Sequence, residues 1–367
     1  MKYPVFYYIC LDPKILPMKK TLLLISVIGL AILLACTGKQ PDNKAAEKLK
    51  NDSIRKMAMT MFPMLPKQAV NPDNAMTTEK VALGKVLYFE TRLSKKGNNS
   101  CNGCHNLNTY GVDNKPTSPG DEGALGGRNS PTSFNSALQF VQFWDGRAKD
   151  VEEQAGGPVL NPVEMNMPDK SFVEKKISSI KGYPEMFATA YPGEKKPVNY
   201  ENMKKAIGAF ERTLLTPGRY DEWLEGNDSA MNSEEIAGLQ AFISTGCTAC
   251  HMGSLFGGSM YQKFPLFGDQ KTWLKTDKVD EGRFAVTKAE ADKFMFKVPI
   301  LRNVAETWPY FHSGSVKDLN EAIGIMAQSE LNKTLKPEEI SSISAFLKTL
   351  TGKLSDDVKK APALPGA

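Results

Sequence analysis

The sequence is short of histidine. Its 367 residues include three, His105, His251 and His312, which excludes chemistry built on an array of imidazoles. Charge of one sign is also scarce. Lys and Arg number 46 against 41 Asp and Glu, and the formal net charge of +5 is spread along the chain. That balance is too mild for a nucleic-acid footprint, so no nucleic-acid partner is expected. Alternating strands joined by hairpin turns are missing, as is a strand–helix–strand series. The fold class is therefore expected to be all-α with long loops. The most apolar stretch, residues 21–35, is too short for a comfortable membrane span.

Cysteine is the second scarcity, with six: Cys10, Cys36, Cys101, Cys104, Cys247 and Cys250. Met18, Lys19 and Lys20 precede the apolar stretch, small Ala35 closes it and Cys36 follows. This order reads as a secretory signal, and its ending LLAC resembles a bacterial lipobox, whose cysteine is lipidated. Residues 18–36 are thus expected to be a lipoprotein signal peptide ending at lipidated Cys36, with an uncleaved anchor helix as the alternative. Residues 1–17 are expected to be a misassigned start and 37–60 a polar tether. The protein would then be exported to the periplasm and held to a membrane by N-terminal lipid. With Cys10 removed and Cys36 lipidated, every other cysteine lies in one of two C-x-x-C-H motifs, at 101–105 and 247–251. No thiol remains for a disulfide framework or a nucleophile.

Two cysteines at this spacing can each form a thioether to a heme vinyl group, and the next histidine then ligates the iron. A redox dithiol has no use for that histidine and expects a βαβ context. A four-thiolate zinc site would join distant halves of the chain and leave both histidines unexplained. Two covalent c-type hemes are therefore expected, on Cys101, Cys104 and His105 and on Cys247, Cys250 and His251. Each motif follows an amphipathic helical pattern. Leu83, Val86 and Leu87 stripe the first. Ile236, Leu239, Phe242 and Ile243 stripe the second, with Asn232 and Glu235 at capping-box spacing. Further helices are read from Met203, Ile207, Phe210 and Leu214, and from Ile340, Ile343, Phe346, Leu347 and Leu350 behind Pro337. A boundary near 216–220 divides an N-terminal half, 61–216, from a C-terminal half, 217–353. Residues 354–367 read as a disordered tail. The last helix is a candidate to pack back on the first half.

Two of the three histidines are committed to the motifs, so at most one iron can carry histidine on both faces. Methionine is the natural second ligand for an electron-transfer heme, and Met326 is the candidate. Among sixteen methionines, core packing is the competing reading.

Several longer stretches are distinctive: LGKVLYFETRLS, RNSPTSFN, QFWDGRAKDVEEQAGGPVLNPVEM, FERTLLTP, and FKVPILRNVAETWPYFHSG with IMAQSEL. Across residues 82–350 the chain resembles the bacterial di-heme cytochrome c peroxidases, a family that includes the MauG-type enzymes. The resemblance implies two cytochrome c-like domains, each with one heme, and reduction of hydrogen peroxide to water with electrons from a small cytochrome c or cupredoxin. It implies a peroxide site at the heme on His105 and electron entry at the heme on His251 and Met326. It implies Trp144 between the hemes, Gln154 and Glu164 on the peroxide side, and Phe143 shaping that pocket. A calcium ion held by Asn129, Thr307 and Pro309 and a homodimer are also implied. Arg147 is either a partner for a heme carboxylate or a surface ion-pair residue. His312 is expected to be a hydrogen-bonded structural histidine. In MauG-type enzymes a tyrosine replaces the methionine. Two rival readings are a MauG-like oxidase acting on a protein and a non-catalytic electron-transfer cytochrome.

The chain leaves the family pattern in one loop. Many members carry a histidine there that caps the peroxide-side iron until the other heme is reduced. Here the segment is TSPGDEG, residues 117–123, with Asp121 in the histidine's place. The expectation is an open iron, with Asp121, Glu122 or Met165 as candidate replacement caps.

Overall fold

The computed structural model describes residues 43–366. The expected signal peptide at 18–36, Cys10 and Cys36, and residues 37–42 lie outside the described residues. Among the described residues no helix is long and apolar enough to cross a membrane. Residues 54–366 form one compact body, and the described residues before it, 43–53, belong to a separate unit.

The body is helical, as the periodicity predicts. Its one sheet among the described residues pairs Tyr261–Lys263 antiparallel with Met295–Lys297. The predicted stripes are buried: Leu83 and Leu87 on the Thr78–Phe89 helix, Met203, Ile207 and Phe210 on Tyr200–Glu211, Leu239 and Phe242 on Ser233–Thr245, and Phe346 and Leu347 on Pro337–Lys348. The capping box forms as the spacing requires, with Asn232 Oδ1 accepting from the Glu235 N–H at 2.9 Å and Glu235 Oε2 from the Asn232 N–H at 2.9 Å.

The apolar residues gather into two large cores. One is built on Thr78–Phe89 crossing Tyr200–Glu211, the other on Ser233–Thr245 crossing Pro337–Lys348. The two crossings share one device. A Cβ on Gly84 would lie 1.9 Å from the Ala206 carbonyl oxygen and 2.9 Å from Phe210 Cβ. A Cβ on Gly238 would lie 1.9 Å from the Ser342 carbonyl oxygen and 2.9 Å from Phe346 Cβ. Each crossing therefore brings two backbones together at a glycine, just ahead of a C-x-x-C-H motif. Alanine in a helix is ordinarily better than glycine by about 1 kcal/mol. Here the steric term wins: Gly84→Ala or Gly238→Ala forces the helices apart and lowers unfolding free energy by roughly 1–3 kcal/mol. Denaturant titration checks this, and unchanged stability would mean the crossings tolerate a methyl group.

Two expectations about segments are corrected. The segment at 37–60 is not a tether where it is described. Asn43–Met61 is a helix, and Ile54, Ala58 and Phe62 are buried in the C-terminal core, Phe62 stacking on Phe256 at 4.5 Å. Spacing of four residues puts these side chains on one face, although the segment is polar overall. Nor is 354–366 a disordered tail. Leu354, Val358 and Leu364 pack on the N-terminal core, and the Pro365 carbonyl accepts from Arg92 Nη2 at 2.8 Å. The short Asp356–Lys359 helix lies in this segment, and its Asp357 carbonyl accepts from Lys85 Nζ.

Candidate functional site

Two cavities flank a shared wall. The first has a volume of about 350 Å³ and is lined by Cys101, Cys104 and His105 together with Phe143, Trp144, Gln154 and Glu164. The first motif folds as a single turn, Cys101–Cys104, closed by the His105 N–H on the Cys101 carbonyl at 2.8 Å. Tyr88 from the preceding helix donates to the His105 carbonyl at 2.6 Å. Gln154 comes from the Val151–Leu160 helix, capped by Asp150 through the Glu153 N–H at 2.8 Å. Glu164 sits in the turn after that helix, where Asn161 Nδ2 donates to its Oε1 at 2.8 Å. Burial raises the pKa of the Glu164 carboxyl, while Arg147 and the Asn161 amide pull against the rise.

The second cavity, about 300 Å³, is lined by Cys247, Cys250, His251 and Met326. Met326 comes from the Leu319–Leu331 helix, whose N-cap Asp318 accepts from the Glu321 N–H at 2.8 Å. His251 Nδ1 lies 2.9 Å from the Phe256 carbonyl. Donation there fixes the tautomer and leaves Nε2 as the electron-pair donor.

The residues present fit covalent hemes better than they fit a metal–thiolate or dithiol site. Burial pushes the Cys247 thiol up to about 11 and raises those of Cys101, Cys104 and Cys250. A zinc ligand or a redox nucleophile needs the reverse, a stabilised thiolate. Burial also lowers both motif histidines, which favours the neutral imidazoles that bind iron. His105 Nδ1 is buried and makes no hydrogen bond, although the Gly111 and Pro131 carbonyls bias the ring toward a proton.

The shared wall consists of the segment 129–132, Gln139, Trp144 and Lys297, each lining both cavities. Trp144 Nε1 donates to the Asn129 carbonyl at 2.9 Å, which fixes the indole in the wall. Arg147 stacks 3.5 Å over the Phe143 ring and bonds Asp145 at 2.9 Å, so it is both cavity-lining and ion-paired. His312 lines the second cavity alone and has no ring hydrogen bond among the described residues. Its ring stacks on Phe296 at 4.3 Å.

The loop that departs from the family pattern is pinned. Asp121 accepts the Lys96 N–H on Oδ1 at 3.0 Å and on Oδ2 at 3.1 Å, and neither Asp121 nor Glu122 lines the first cavity. The Asp121 N–H donates to the Glu164 carbonyl at 2.6 Å, and a Cβ on Gly120 would stand 2.0 Å from the Val163 carbonyl oxygen. Of the candidate replacement caps only Met165 lines the cavity. Asn129, Thr307 and Pro309 all line the second cavity. Asn129 Nδ2 donates to the Lys115 carbonyl at 3.0 Å, so Oδ1 is its atom for a cation. Among the described residues no group of three or more acidic, histidine or cysteine side chains is placed to hold a metal ion.

Sequence reasoning misses three ionisable residues on the cavity walls, two buried and one half-buried. Glu211 lines the first cavity, and burial with the like charge of Glu152 raises it to about 8. It lies four residues after Ile207, a spacing that puts it on the buried stripe. Glu330 lines the second cavity, and burial raises it to about 7. Lys297 lines both, and a lone lysine in the apolar run FKVPIL is the signal that could have found it.

Residues 78–229 match the family model described as di-haem cytochrome c peroxidase. The chain is 43% identical to the cytochrome c551 peroxidase of Pseudomonas aeruginosa over 304 residues, covering 82% of this chain and 87% of the relative. It is 44% identical to the cytochrome c551 peroxidase of Nitrosomonas europaea, covering 83% of this chain and 87% of the relative. Among solved structures, a MauG-like protein associated with microbial copper homeostasis superposes with a TM-score of 0.70 at 27% identity, over 81% of this chain and 95% of that one. With identity above two-fifths along most of its length and a helical body carrying two C-x-x-C-H cavities, this chain belongs to the di-haem cytochrome c peroxidase family.

Proposed function

We propose that this chain is a cytochrome c peroxidase that reduces hydrogen peroxide to two waters, with electrons from a small redox protein. The observation that carries the reading is convergence: Gln154 and Glu164 line the same cavity as Cys101, Cys104 and His105. When bound there and in the second cavity, the hemes supply the iron redox chemistry. Cys101, Cys104 and His105 would hold one heme, and Cys247, Cys250, His251 and Met326 the other. Gln154 orients peroxide by hydrogen bonding. Glu164 takes the proton from one peroxide oxygen and returns it to the other, which leaves as water as the O–O bond breaks; two electrons from the redox protein and two protons from solvent would turn the remaining oxygen into the second water. Trp144 lies in the wall that electrons must cross from the second cavity to the first.

The capping histidine that the family resemblance implies has no substitute in this loop, and Met165, which lines the first cavity, is packed into the N-terminal core. Asp121 is turned to the Lys96 backbone, and His312 lines the other cavity. The enzyme is therefore expected to turn over from its fully oxidised state. Mixing oxidised enzyme with peroxide and a reduced cytochrome c, without prior reduction, should give linear turnover from the first seconds. A lag removed by pre-reduction would overturn the ungated reading, and absence of turnover in either state would overturn the peroxidase reading. Identity of 43–44% to the cytochrome c551 peroxidases, against 32% to the methylamine utilization protein MauG of Methylorubrum extorquens, supports the peroxidase reading over the MauG-like one.

A calcium ion at Asn129, Thr307 and Pro309 would be held by neutral oxygens and water, a donor set suited to a hard cation. Export to the periplasm with a lipid on Cys36 completes the reading, and a homodimer accords with it.

A further inference from the structure

The wall between the cavities contains one cation that no carboxylate touches. Lys297 is 3% exposed. It ends the Met295–Lys297 strand, where its N–H donates to the Trp144 carbonyl at 2.8 Å. Its Nζ donates to Gln139 Oε1, a neutral acceptor. Among the described residues no carboxylate lies within ion-pair distance of it. The other cations of the first cavity are neutralised. Arg128 bonds Asp145 and Asp280, each at 2.6 Å, and Arg147 bonds Asp145 at 2.9 Å. A buried ammonium with one neutral partner is costly unless an anion joins it. Burial drags Lys297 down to about 7, with the charge of Asp145 pulling the other way. Both cavities open onto this residue.

We infer that Lys297 is a cation shared by the two cavities, placed, on the two-heme reading above, to bind the carboxylate arms of both tetrapyrroles and so to hold both reduction potentials up together. Heme carboxylates are the anions that reading brings to the wall. One charge within reach of both groups favours the reduced form of each, because electron uptake adds negative charge beside a fixed cation. Trp144, joined to Lys297 through the backbone bond, then lies between groups tied to the same anchor.

The test is a redox titration of the two-heme holoenzyme followed through the absorption bands of each heme. Lys297→Met should lower both midpoint potentials, by about 59 mV for a tenfold change in each one-electron equilibrium. Lys297→Arg should keep both near the parent values. Gln139→Glu, which sets a fixed carboxylate against the ammonium, should lower both with the lysine in place, and it carries the test should Lys297→Met fail to accumulate. A two-heme Lys297→Met protein with neither potential moved, or with one alone moved, would overturn the shared anchor. Covalent heme content is measured first. Fewer than two hemes in the unsubstituted chain would instead remove the two-heme reading beneath it.

Discussion

Replacing Glu164 with Gln lowers peroxide turnover by about 10²–10⁴-fold, the span that a positioned acid–base group contributes. The substitution keeps shape and preserves a partner for Asn161 Nδ2, which bonds Glu164 Oε1 at 2.8 Å. The heme absorption bands should therefore stay as in the parent. The proton relay begins with an ionised carboxylate, and burial raises the pKa of that carboxyl. Parent turnover should accordingly fall as pH drops through the raised value, as the group fills with its own proton. In the Gln variant that acid limb should vanish along with most of the rate. Steady-state rates across pH with reduced cytochrome c check both effects. A variant that keeps its rate and its acid limb would strip Glu164 of the role.

The largest expected stability effect lies at Arg302, away from the proton relay. Its side chain is 0% exposed and bonds both Asp221 oxygens, one of them at 2.9 Å, while its Nε donates to the Ser254 carbonyl at 2.8 Å. Asp221 also accepts the Gly218 N–H at 2.8 Å and the Leu65 N–H at 3.2 Å. The pair therefore ties together the segments at 65, 218, 254 and 302. Arg302→Met strands a buried carboxylate and should cost roughly 3–5 kcal/mol of unfolding free energy. Adding Asp221→Asn removes the stranded charge and keeps one oxygen, which serves one of the two backbone donors, so the double variant should recover part of the loss. Denaturant melts of the three variants and the parent form the cycle. A single Arg302→Met protein within about 1 kcal/mol of the parent would contradict the burial cost.

Much of this protein is legible in its sequence because covalent attachment chemistry is local. Two cysteines and a histidine within five residues state the cofactor without a fold. The helical stripes are legible for the same reason, since 3.6-residue periodicity is a property of neighbours. Glu164 and Gln154 carry no such local signal. A carboxylate in a proline-bounded turn resembles any surface glutamate until the Val151–Leu160 helix brings it to the cavity, and only family resemblance points there. Lys297 and Glu211 escape a sequence reading because their meaning is burial beside partners distant in sequence. The segment at 54–62 misleads it because composition averages over a helix whose single apolar face is what packs, and 354–366 because a few apolar residues, Leu354, Val358 and Leu364, dock an otherwise polar stretch.

Those two segments have a consequence for how the molecule is made. The core organised by Thr78–Phe89 includes Leu354, Val358 and Leu364, and the core organised by Pro337–Lys348 includes Ile54, Ala58 and Phe62. Each half thus awaits material from the opposite end of the chain. During synthesis the earlier half stays unfinished until the later half has emerged, and contacts of such long sequence separation form slowly.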